Sequence, residues 1–109
     1  MLDVIRIALY TKNMIKTFQC RATESLFNRK PVSRFASITA IARRKLEMLD
    51  AAKRREDLRI PPDNRLELLS GDRAGQSSIR INDKWRICFE WRQSGDVGDA
   101  YRVEIVDYH

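Results

Sequence analysis

From Ile79 to Trp91 the chain alternates with a period of two, and this pattern constrains it more tightly than any other feature does. Ile79 and Ile81 alternate with Ser78, Arg80 and Asn82, and Trp85, Ile87, Phe89 and Trp91 alternate with Arg86, Cys88, Glu90 and Arg92. Such alternation describes two strands that bury one face and leave the other to polar groups. The turn between them follows from parity, because a one-residue slip moves every side chain to the opposite face. A two-residue loop at Asn82-Asp83 sets Ile81 against Lys84 and Ile79 against Arg86, mixing apolar and charged groups on one side. A three-residue loop, Asn82-Asp83-Lys84, sets Ile81 against Trp85, Ile79 against Ile87 and Arg80 against Arg86. The three-residue loop is therefore the expected one. It assigns Trp85 and Trp91 to the core face, and it opposes two arginines on the other, which calls either for screening by water or for an anion between them.

Upstream the period changes. Between Ala22 and Ala52 the pattern is helical, with Thr23 as the expected cap of a first helix and a break at Pro31. Phe35, Ile38, Ala42, Leu46 and Leu49 then recur at intervals of three and four, the apolar stripe of an amphipathic helix. Arg43, Arg44 and Lys45 fall on its other sides, where a solvated face is the simpler reading and a phosphate-contacting ridge the sharper one. The segment KRREDLRIPPDN ends the helical region at Pro61-Pro62, SGDVGD reads as a loop, and YRVEIVDYH reads as a last strand with Tyr101, Val103 and Ile105 on one face. Helices followed by strands make an α+β domain with helices on one face of a mostly antiparallel sheet. At the start, Met14 opens a second start-like segment, MIKTFQC, with its own alternation of Ile15 and Phe18. Residues 1–13 are accordingly expected to be an extension, or the product of an alternative start, beside a domain over residues 14–109.

A chain of 109 residues holds one core of two packed layers, so any active site is an open cleft or surface. Its net charge is +6, and fifteen of its 21 cations are arginine, the side chain whose planar fork grips phosphate through two hydrogen bonds and stacks on bases. That balance points to a polyanionic partner. Cys20 and Cys88 form neither a disulfide framework nor a zinc motif, which fits a cytoplasmic protein and leaves both thiols structural. No apolar run approaches the roughly 18 residues of a membrane span. Gly71 and Gly75 are not followed by the lysine and hydroxyl residue of a phosphate loop, and the only histidine is His109. No cofactor and no metal are expected. A metal-free reaction on a polyanion that requires no protein nucleophile is attack by a ribose 2′-hydroxyl on the adjacent phosphodiester, which directs attention to RNA.

The segments NRLELLSGDRAGQSSIRINDKWRICFEW and VEIVDYH resemble the HigB toxins of the RelE/ParE superfamily, and the resemblance runs from Met14 to His109. It implies a RelE-like fold, two to three helices packed on one face of a curved sheet of four to five strands, with a basic cleft on the other face. It also implies a type II toxin that cleaves messenger RNA on the 70S ribosome, a helix-turn-helix antitoxin of the HigA type, and operator DNA bound only through the toxin-antitoxin complex. Matched position by position, Arg86 corresponds to an arginine of the family's cleft, and Asp107, Tyr108 and His109 to its Asp-Tyr-His ending. In these roles Arg86 neutralises phosphate charge, Asp107 and His109 move protons, and Tyr108 stacks on a base or binds phosphate. The chain departs from the pattern where some members carry a histidine and a lysine. Here Glu67 and Ser70 stand, so Glu67 is a candidate base or an ordinary strand residue, and Arg73, Arg80 and Lys84 are the candidate RNA-binding cations. ParE-type relatives on the same scaffold inhibit DNA gyrase without catalysis, and this is the alternative function.

Overall fold

A computed structural model describes residues 15–107. The expected extension over residues 1–13, the start at Met14, and the site residues Tyr108 and His109 lie outside that range. The period-two segment forms the centre of a four-stranded antiparallel sheet, built in sequence order from β1 (Glu67–Leu68), β2 (Ser77–Arg80), β3 (Trp85–Ser94) and β4 (Val97–Asp107). Ile79 pairs with Ile87 and Arg80 with Arg86, and the Ile81 N–H donates to the Trp85 carbonyl, so the three-residue turn is the one adopted. Asn82 fixes it: its Oδ1 accepts from the N–H groups of Lys84 at 2.9 Å and Trp85 at 2.8 Å. This is an asparagine side chain standing in for a backbone turn acceptor.

The helical pattern yields α1 (Arg21–Phe27), a 3-10 stretch over Ser33–Ile38, and α2 (Thr39–Ala51). All five stripe residues, Phe35, Ile38, Ala42, Leu46 and Leu49, are buried and pack with Ile79, Ile87, Phe89, Val103 and Ile105 of the sheet. Each fully buried large apolar side chain contributes about 1.5–3 kcal/mol. Trp85 meets Phe35 edge-on with ring centroids 5.4 Å apart, and Trp91 meets Phe89 in the same way at 6.4 Å, so both tryptophans stand on the core face as expected.

Four expectations are corrected. Thr23 does not cap α1; Cys20 occupies that position, and Thr23 is buried inside the helix, where its Oγ1 accepts the Ile105 N–H at 3.0 Å and docks the helix on β4. The triplet 43–45 is neither a solvated face nor a ridge. Arg44 alone is exposed, while Arg43 donates to the Leu26 carbonyl at the end of α1 and the Lys45 ammonium is buried on Asn64 Oδ1. The segment SGDVGD is a tight turn at Gly95-Asp96 within one long hairpin, with Ser94 paired to Val97 and Gly95 at φ +65°. Such a left-handed position suits a residue without Cβ.

The fourth correction is a β-bulge in β4. Cys88 pairs with Glu104 but Glu90 pairs with Tyr101, so Arg102 and Val103 together oppose Phe89. Arg102 adopts φ +57°, and the extra residue reverses the facing of everything before it. Ala100, Val103 and Ile105 therefore face the core, and Tyr101 leaves the side of Val103 and Ile105 for the open face. The segment opening at Ile15 runs parallel to β4, through bridges Ile15 to Ala100 and Phe18 to Val103, and covers what would otherwise be an exposed edge.

Candidate active site

The face of the sheet turned away from the helices carries Ser78 and Arg80 of β2, Arg86, Cys88 and Glu90 of β3, and Glu104 of β4, since directly paired residues share a face. Arg86 lies at its centre and is 7% exposed. Its Nε donates to Ser78 Oγ at 2.8 Å and one terminal nitrogen to the Arg65 carbonyl at 2.8 Å; Glu67 Oε1 stands 3.6 Å from that nitrogen. The carbonyl is delivered by the backbone that follows Pro61-Pro62. A 3-10 turn over Pro62–Asn64 is pinned by fully buried Asn64, and Arg65 takes a left-handed conformation at φ +46°. The guanidinium is thus held in one orientation by groups from three separate segments, the arrangement expected of a charge fixed in place before its ligand arrives.

The two opposed arginines diverge. Arg80 pairs with fully exposed Asp83 and Arg86 leans toward Glu67, so carboxylates of the chain itself relieve the repulsion expected from the ladder. Glu67 is exposed, pairs with Ser78 and shares the face of Arg86, in reach of the same ligand. Arg73 reaches the face from the loop before β2, donating to Gln76 Oε1 at 3.0 Å and to Glu104 Oε1 at 3.4 Å. Between them lies Cys88, whose thiol is pushed up by burial and by Glu104, with Arg73 and Arg86 pulling the other way. Burial wins, and the thiol stays protonated at neutral pH.

The C-terminal end is arranged differently. For Asp107 to reach the cleft, β4 had to twist or end near Val106; instead it continues through Asp107, which pairs with Trp85 while Val106 pairs with Arg86. Ladder parity therefore sets Asp107 on the Trp85 side, where Lys84 Nζ stands 3.8 Å from its carboxylate and 5.4 Å from the Trp85 ring centroid. Arg86, Glu67, Arg80 and Arg73 are gathered on one face, and Asp107 and Lys84 form a second group at the adjoining end of the same hairpin.

Sequence reasoning missed the residues that hold Arg86, namely Ser78, the Arg65 carbonyl and Asn64 behind it. It also missed a pair further along the open face, where the Arg92 guanidinium lies 3.9 Å from the centroid of the Tyr101 ring. Parity could have placed Ser78 opposite Cys88 and beside Arg86, but no local signal announces the left-handed Arg65 or the bulge at Arg102. Among the described residues, no helix is long and apolar enough to cross a membrane.

Known proteins similar to this chain match it in stretches. Over 48 residues it is 56% identical to Toxin HigB-1 of Vibrio cholerae, covering 44% of this chain and 50% of that protein. Over 66 residues it is 33% identical to an uncharacterized protein of Haemophilus influenzae, covering 61% of this chain and 64% of that one. The chain thus spans between half and 64% of the length of these relatives. A family model for HigB-like toxins, the RelE-like toxins of type II toxin-antitoxin systems, matches residues 17–109, and the chain belongs to that family.

Proposed function

We propose that this toxin is a ribosome-dependent endonuclease that cuts messenger RNA by attack of a ribose 2′-hydroxyl on its own 3′ phosphodiester. The observation that carries the reading is the fixed Arg86 guanidinium on an open face, flanked by Glu67 and within a cluster of further arginines. In the reaction the 2′-oxygen forms a bond to phosphorus, the 5′-oxygen of the next nucleotide leaves, and a 2′,3′-cyclic phosphate remains. Negative charge gathers on the phosphoryl oxygens in the transition state, where Arg86 offsets it. Glu67, 3.6 Å from Arg86, takes the 2′-hydroxyl proton in this scheme, since a base has to lie within reach of the phosphate that the arginine holds. His109, the only imidazole, returns a proton to the leaving oxygen. In the same scheme Asp107 shares in the proton transfer and Tyr108 stacks on a base or binds phosphate, while Arg73, Arg80 and Lys84 hold flanking phosphates. The scheme uses no cofactor.

The chain's partners in this reading are the 70S ribosome with its messenger, and a HigA-type helix-turn-helix antitoxin that restrains the toxin and carries the complex to operator DNA. Its place of action is the cytoplasm. Residues 14–109 form the working unit, and a chain started at Met14 should fold and cleave as the longer one does.

The test is cleavage of messenger on programmed ribosomes with mapping of new ends. Arg86→Gln, whose amide nitrogen takes the place of Nε and keeps the donor to Ser78, should lower the cleavage rate by about 100-fold or more, a few kcal/mol of lost charge stabilisation, with the chain still folded and unfolding cooperatively. Removal of His109 should lower it comparably while ribosome binding persists. Full cleavage by the Arg86→Gln chain refutes the assignment. Growth arrest with intact messenger and blocked gyrase would replace it with the ParE-like reading.

A further inference from the structure

We propose that Arg92 and Tyr101 form a stacking subsite for one unpaired base of single-stranded RNA, on the open face of the sheet and displaced from Arg86 along the hairpin. The proposal deepens the endonuclease reading and rests on it for the identity of the ligand. Tyr101 pairs with Glu90, four residues along β3 from Arg86. At about 3.3 Å per residue this is roughly 13 Å. A strand of RNA crosses that distance in about four nucleotides when stacked, and in fewer when extended.

Three observations converge on the pair. The bulge at Arg102 turns Tyr101 out of the core-facing series to which strict alternation would assign it, and bulges of this kind re-aim side chains. Arg102 bears a left-handed conformation to do so, at φ +57°, held by its N–H donating to Thr17 Oγ1 at 2.7 Å and its Nε donating to Gln19 Oε1 at 3.2 Å. Next, the Arg92 guanidinium is fixed rather than free, lying 3.9 Å from the Tyr101 ring centroid with its Nε donating to Glu90 Oε2 at 3.1 Å. Its side chain is still 55% exposed, so a base can lie on the far side of the guanidinium and continue the stack begun by the tyrosine. Finally, Glu90 offsets the charge of Arg92, so what this residue adds to the face is a flat polarisable surface more than a net positive charge. Unstacked bases are held on aromatic rings and arginine planes in this way, whatever their identity.

The experiment titrates the full chain into a fluorescein-labelled 2′-O-methyl RNA hexamer, which cannot be cut by 2′-hydroxyl attack, and reads anisotropy. Arg92→Ala and Arg92→Lys should each weaken binding about tenfold, since lysine keeps the charge and loses the plane. Tyr101→Leu, which removes the ring beneath the guanidinium, should weaken binding comparably, and Arg44→Ala, a loss of equal charge on the helix side, should change binding less than twofold. Wild-type affinity in Arg92→Lys, or equal losses in Arg44→Ala and Arg92→Ala, would reduce the effect to charge and overturn the subsite. Absence of binding by the wild-type chain would also overturn it. If binding depends on Arg92 while programmed ribosomes are not cut, the subsite stands and the endonuclease reading falls.

Discussion

Asn64→Ala tests how the fold holds the arginine at the centre of the open face. Asn64 is fully buried, with Oδ1 accepting from the Lys45 ammonium and Nδ2 donating to the Leu58 carbonyl at 3.1 Å. Lys45 is itself 4% exposed, and its other partner, Asp63 at 3.6 Å, is largely in solvent. Alanine removes the acceptor of a buried cation and the donor to a buried carbonyl at once. Orphaning one neutral buried group costs about 1–3 kcal/mol, and breaking a buried charged pair about 3–5. Because Asp63 remains within reach of Lys45, the charge is not stranded and its cost drops below that range to about 1.5 kcal/mol, which with about 1.5 for the carbonyl makes about 3 kcal/mol. At roughly 4 °C per kcal/mol for a domain of this size, the melting temperature should fall by about 12 °C. Urea unfolding followed by circular dichroism measures the free energy directly. In a Lys45→Met background, where no charge is left to strand, the same substitution should cost about half as much. A loss under about 0.5 kcal/mol in the natural chain, or equal losses in both backgrounds, would refute this account of the buried lysine. The loss also bears on the site, since Asn64 anchors the turn whose next residue supplies the carbonyl that orients Arg86.

The remaining predictions are smaller. Burial pushes the Cys20 thiol up, but hydrogen bonds from the Thr23 hydroxyl and from the Thr23 and Ala22 backbone outweigh it and, with the charge of Arg34, leave it below its ordinary value; Cys88 is raised by burial. A thiol reagent at neutral pH should therefore modify Cys20 in the folded chain and Cys88 only on unfolding, as peptide mass mapping would record. Arg102→Gly should keep the bulge and leave stability within about 1 kcal/mol, whereas Arg102→Val, β-branched at a left-handed position, should lower it by about 1–2 kcal/mol in denaturant titration. Gly98→Ala would drive a methyl group into the Trp91 indole and the Gln93 amide, and should shift tryptophan fluorescence as well as cost about 1–3 kcal/mol. The Asp57 carboxyl is held below its ordinary value by the backbone N–H groups of Lys53 and then Arg54. A depressed carboxyl contributes stability above its unfolded pKa that is lost as pH falls through the folded one. The stability advantage of the natural chain over Asp57→Asn should hold at pH 7 and vanish below the usual aspartate range.

The sequence by itself determined the central hairpin, its register and its three-residue turn, because parity leaves one pairing that keeps apolar and charged side chains apart. It determined the buried stripe of Phe35, Ile38, Ala42, Leu46 and Leu49 for the same kind of reason, the match of spacing to helical period. Arg86 and Glu67 were both singled out from the sequence, and they stand 3.6 Å apart. Only the tertiary structure decided that Lys45 is buried and Arg43 ties down α1, since a charge on a helix face is solvated or enclosed according to what packs against it. It alone decided that Thr23 serves β4 rather than its own helix end, as that bond joins residues 82 positions apart. It decided too that Tyr101 faces the open side, because one inserted residue at Arg102 reverses an alternation that the letters on either side continue undisturbed. Periodicity is a local property and is written in the chain. The partners that bury a charge, accept a distant N–H or absorb an extra residue are brought together only by folding.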